Sequence, residues 1–173
     1  MKIFFIMFTA LIFISGCSTE NSNEVIIDDE WKAEYDGVPL NIGVIGEKPK
    51  RTFNNITIHS AEPDSLKQPE EYDAYFITDQ YFGELSQADW KSVLMNIKTP
   101  VFFINLDVQA FIYRVEEMNY GDMAPPATEH SNGFVRTGDT FNMWGYAEST
   151  DVNETSDWIF NSIFRDIEEY KFH

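Results

Sequence analysis

Three carboxylates, Glu47, Asp79 and Asp107, each follow an apolar run, and together they could hold a hard divalent cation such as Ca²⁺ through oxygen ligands. Lys48, Thr78 and Asn105 share their loops, and His59, Ser60 and Glu62 lie around a further short run. Ser60, His59 and Asp79 are the residue types of a nucleophile, its general base and an orienting acid. Neighbours on an extended segment point to opposite faces, however, so His59 and Ser60 cannot readily pair, and no G-x-S-x-G elbow accompanies them. His59, His130 and His173 lack the H-x-x-x-H spacing of a zinc site. Gly43 and Gly46 give only G-x-x-G, and the following Glu47 and Pro49 oppose a phosphate cradle. A chain with 29 acidic residues also places carboxylates in its loops by chance. No metal, cofactor or catalytic residue is therefore assigned. Glu47, His59, Asp79, Asn105 and Asp107 stand as a candidate ligand rim, polar and mainly acidic.

Such a rim needs a sheet beneath it, because ligands of open α/β sheets bind outside the carboxyl ends of parallel strands. Leu40 to Ile45 is an apolar run closed by Gly46, as expected of a strand covered on both faces. Ile56 to His59 alternates like an edge strand, and Tyr72 to Ile77 and Val101 to Ile104 supply two more runs. Trp90, Val93, Leu94 and Ile97 form a helical stripe, with Ser86 as its cap and Pro100 as its stop. Strand, helix and strand in that order predict a parallel βαβ unit. The links at 46–55 and 61–71 are short for parallel crossovers, which leaves a local antiparallel pairing open. A second helix is expected over about 107–117. Phe134 to Arg136 and Phe141 to Ala147 flank Gly138-Asp139 as a hairpin, and a last helix over about 154–170 carries Phe160, Ile163, Phe164 and Ile167 on one side. The expected fold is α/β: a small three-layer sandwich with a mainly parallel central sheet, plus a C-terminal hairpin and helix. In pattern it resembles the doubly wound, flavodoxin-like arrangement. That resemblance carries no function.

The aromatics weigh toward packing. Trp90 and Trp158 sit on helical stripes and read as core. Tyr81, Phe82, Tyr113, Tyr120, Met123, Trp144 and Tyr146 surround a Pro-containing stretch, 119–133, which reads as a loop packed over a small core or, if exposed together, as a docking patch.

Composition narrows the partners. The formal charge of −17, from 12 basic and 29 acidic residues, argues against nucleic acid, whose phosphates would be repelled. One cysteine excludes an internal disulfide and a CxxC pair.

That cysteine lies in the most informative segment. Lys2 precedes an apolar run, Ile3 to Ile14, then Ser15, Gly16 and Cys17. A run of about 12 residues makes roughly 18 Å of helix, short of the ~20 residues that cross a bilayer, and its layout is that of a cleavable export signal. Ile14-Ser15-Gly16-Cys17 resembles the lipobox of bacterial lipoproteins, with Ile14 where Leu is common. The resemblance covers residues 1–17 and implies cleavage before Cys17 and a diacylglycerol on its thiol. Residues 1–16 would be the cleaved signal, 17–37 the lipidated Cys and a tether, and 38–173 a single α/β domain. Cleavage would leave 11 basic against 29 acidic side chains, a charge of −18, so lipid rather than charge would hold the domain at an anionic membrane.

The expectation is a lipid-anchored extracytoplasmic protein at the cell membrane, acting as a non-catalytic module that binds a protein or small molecule. Two alternatives remain: a divalent-cation-assisted extracellular hydrolase using the acidic rim, and an envelope assembly or immunity protein that neutralises a cationic partner.

Overall fold

The computed structural model describes residues 33–68, 71–108, 126–147 and 154–173. The expected export signal, Cys17, residues 17–32 of the expected tether, most of the 107–117 helix expectation and residues 119–125 of the 119–133 stretch lie outside them. Asp107 and Val108 are described and are not helical: Val108 forms an isolated antiparallel bridge with Pro126.

Six strands form one sheet: β1 (Leu40–Ile45), β2 (Ile56–Ser60), β3 (Ala74–Ile77), β4 (Val101–Phe103), β5 (Ser131–Thr137) and β6 (Thr140–Tyr146), in the order β2-β1-β3-β4-β5-β6. The first four run parallel, and both short links are genuine parallel crossovers. Three α-helices accompany them among the described residues: α1 (Phe82–Leu85), α2 (Ala88–Met95) and α3 (Asp157–Phe172). None is long and apolar enough to cross a membrane.

The expected flavodoxin-like, mainly parallel sheet with an appended hairpin is corrected. β5 joins the free edge of β4 antiparallel, with Val101 opposite Phe134 and Phe103 opposite Asn132, and β6 pairs with β5 around Gly138-Asp139. The sheet is mixed, parallel at its N-terminal side and antiparallel at its C-terminal end. A buried edge explains this. Val101 to Phe103 is fully buried, so an unpaired β4 would leave backbone donors and acceptors without water or partner.

Period-two alternation divides the side chains between two cores. Leu40, Ile42, Val44, Ala74, Phe76 and Phe102 face α3, whose Ile159, Phe160, Ile163, Phe164 and Ile167 form its buried stripe. Ile45, Tyr75, Ile77, Val101, Phe103 and Phe134 face the opposite way, against Leu66 of a 3₁₀ turn (Pro63–Lys67), Phe82 and Leu85 of α1, and Leu94 and Ile97. Aromatic rings tie the α3 side together: Phe164 lies 5.1 Å from Phe53, 5.7 Å from Tyr35 and 6.1 Å from Phe76, centroid to centroid.

The crossovers change face with direction. From β1 the chain steps outward to β2 along the α3 side, where Phe53 packs, and it returns across β1 to β3 on the other side, where Leu66 packs. Crossovers of a single hand require that exchange when the chain reverses direction along the sheet. Helix α2 begins one residue later than a Ser86 cap would place it. Gln87 is the residue before α2, while Ser86 closes α1 through its hydroxyl on the Gly83 carbonyl at 3.0 Å.

Candidate functional site

Reversal of strand order at β1 and β3 leaves a crevice beyond their carboxyl ends, the place where open α/β sheets take ligands. A cleft of about 540 Å³ occupies it. Its apolar floor is Val44, Phe76, Ile104 and Phe160, and its walls come from the loop after β1, the turn after β3, the residue pair after β4 and the approach to α3.

Gly46 starts the first wall at φ 114°, a backbone region that side-chain-bearing residues avoid, and thereby turns the chain off β1. Thr78 fastens this turn. Its Oγ1 accepts from the Glu47 amide at 3.2 Å, and its own amide donates to the Ile45 carbonyl at 3.1 Å. Arg51, farther along the loop, donates to the Asp157 carboxylate and the Thr155 carbonyl and lies 5.4 Å over the Phe160 ring. It clamps the loop to the start of α3, where an acidic first-turn residue is also favoured by the helix dipole. Lys50 sits 3.8 Å from Glu47, both well exposed. Among the described residues the Lys48 and Asp79 side chains have no hydrogen-bond or ion-pair partner, although both residues line the cleft.

Asn105 closes the far side in a left-handed conformation, φ 61°, that asparagine tolerates better than most residues. Its amide donates to Ser131 Oγ at 3.3 Å, and the next amide, of Leu106, donates to the His130 carbonyl at 2.7 Å. A smaller neighbouring cleft of about 430 Å³ shares Asp79 and Asn105 and adds Asp107 and Pro126.

Of the sequence-derived rim, Glu47, Asp79 and Asn105 thus meet at the main cleft, and Asp107 lies in the adjoining one. His59 does not join them. It is exposed on β2 at the sheet's edge, with its ring 5.6 Å from Tyr72. Nor is the rim mainly acidic: Lys48, Lys50 and Arg51 balance Glu47, Asp79 and Glu154. Lys50, Arg51, Thr155 and Phe160 escaped the sequence reading. The first two had a legible signal, since three cations fall within positions 48–51 of a chain that has only 12. Thr155 and Phe160 had none, because only the fold brings α3 to this loop.

Titratable groups shifted by burial lie elsewhere. Burial raises Tyr146 and Asp166, which share a hydrogen bond between β6 and α3, and it pushes Tyr75 up to about 12. No group of three His, Cys, Asp or Glu is arranged for a metal among the described residues. Compared with protein-family models, with curated protein sequences and with solved structures, the chain matches none.

Proposed function

We propose that this chain is a lipid-anchored extracytoplasmic binding protein that receives a small molecule, without turning it over, in the cleft beyond β1, β3 and β4. The observation that carries the binding role is the cleft: it has an apolar floor, and it holds the Lys48 and Asp79 side chains, unpaired among the described residues, on walls that Thr78 and Arg51 fasten in place. Unpaired opposite charges beside buried apolar surface suit a ligand that needs orientation. The divalent-cation hydrolase is the weaker reading, because the charges on the cleft walls cancel and no three His, Cys, Asp or Glu are grouped for a metal among the described residues. Anchoring is supported by Ile14-Ser15-Gly16-Cys17 and the short apolar run before it.

Two measurements test this reading. Intact mass of the protein from its host's membranes should fit cleavage before Cys17 plus acyl chains, with Cys17→Ser left unprocessed; a bare thiol or retained leader contradicts anchoring. Small-molecule screening by thermal shift should find compounds that raise the unfolding midpoint without being consumed. Turnover abolished by Asp79→Ala would overturn the non-catalytic reading.

A further inference from the structure

We infer that the ligand of this cleft is a zwitterion with an apolar body, of the class of free hydrophobic amino acids and short peptides; this rests on the cleft being the binding site. The charged side chains on its walls sum to zero, Lys48, Lys50 and Arg51 against Glu47, Asp79 and Glu154, in a chain whose formal charge is −17. A cation would find attraction over most of the surface but repulsion from Lys48 here, and an anion would meet Asp79, Glu47 and Glu154. A molecule carrying both signs satisfies both walls at once.

Not all six charges are available. Arg51 is bound to Asp157 and Thr155, and Lys50 faces Glu47. Lys48 and Asp79 remain, on the loops that follow β1 and β3. Those strands are neighbours in the sheet, about 4.8 Å apart, so the two loops rise side by side and present side chains of opposite sign to one cleft. Lys48 would take the carboxylate and Asp79 the ammonium. The body would lie on Val44, Phe76, Ile104 and Phe160, and about 540 Å³ accommodates a dipeptide.

Calorimetry on the full chain in detergent tests this with four forms of one dipeptide, phenylalanyl-leucine: free, N-acetylated, C-amidated and blocked at both ends. The free form should bind tightest, each single block weakening it about three- to tenfold, the range of one charge-assisted contact in a half-open site. Lys48→Ala should erase the difference between free and amidated forms alone, and Asp79→Asn the difference between free and acetylated forms alone. Both side chains are exposed and unpartnered among the described residues, so neither variant should disturb folding, which circular dichroism checks. Equal or tighter binding of a blocked form, or variants that weaken all four forms equally, overturns the zwitterion while leaving the cleft as a binding site. If no form binds, the zwitterion is overturned outright. A screen of uncharged, anionic and cationic small molecules then decides the cleft: a hit that the Lys48 or Asp79 variants weaken preserves it, and none overturns it too.

Discussion

Where the parallel strands begin, Asp73 accepts the Asn41 amide at 2.8 Å and pairs with Lys171 at 2.7 Å, Glu168 accepts the Val38 amide at 3.2 Å, and the Tyr35 hydroxyl donates to the Val38 carbonyl at 2.8 Å. Where the same strands end, Lys48 and Asp79 face one cleft with no partner among the described residues. One sheet thus treats charge in two ways. At its lower end carboxylates close the backbone of the first loop against α3 and hold the layers together. At its upper end Asp79 is left available among the described residues. The difference teaches that acidic residues here are not interchangeable surface charge, although by composition alone Asp73 and Asp79 look alike.

The contrast can be broken first at the core both ends share. Phe164→Ala removes the ring that Tyr35, Phe53 and Phe76 surround, and it should cost about 3–5 kcal/mol in urea unfolding, by lost burial and the cavity left behind. Gly46→Ala comes next. A side chain at φ 114° is strained, and its Cβ would collide with Thr78 Oγ1, so a loss of about 2–3 kcal/mol and a weakened site are expected together. A stable Gly46→Ala with an unchanged site would mean that the turn does not shape the cleft.

The two ends are compared directly by their aspartates. Asp73→Ala removes an amide's acceptor and an ion pair at a group only 18% exposed, and about 1–2 kcal/mol should be lost. Asp79→Asn should stay within about 0.5 kcal/mol of the parent in the same assay. Equal losses would erase the distinction between the two ends.

The smallest effect is a slope. Burial holds the Asp166 carboxyl above its ordinary 3.8, against the Tyr146 hydroxyl that donates to it and pulls the other way. A raised value means that the folded protein keeps this proton more tightly than the unfolded chain. The resulting stability is fully present below 3.8 and is lost as pH rises through the raised value. Asp166→Asn cannot ionise, so the stability of the parent relative to this variant should fall with rising pH across that window. Urea midpoints at several pH values read it, and a rising difference contradicts the assignment.

Much of this was legible locally. Leu40 to Ile45 announces β1 by an unbroken run ended at Gly46, Gly138-Asp139 announces the hairpin, and Phe160, Ile163, Phe164 and Ile167 announce the face of α3. What was not legible is what depends on distant partners. β5 opens with Ser131, Asn132 and Gly133, which read as loop, yet all three are buried in the sheet, and the Phe102 ring covers Gly133 where a side chain would stand. Their polarity concealed the pairing with β4, and with it the mixed sheet. Asp79 and Asn105 could be placed at strand ends from the pattern, and the cations at 48–51 were legible as a cluster, whereas their place against Thr155 and Asp157, more than a hundred residues away, was not.

The division between a closed end and a receptive end is tested most directly by backbone amide chemical shifts of the labelled full chain titrated with phenylalanyl-leucine. Shifts concentrated at Gly46, Glu47, Lys48, Thr78, Asp79 and Asn105, with Val38, Asn41 and Asp73 unmoved, are predicted. Shifts centred on Val38, Asn41 and Asp73, or spread evenly over both ends, would contradict it.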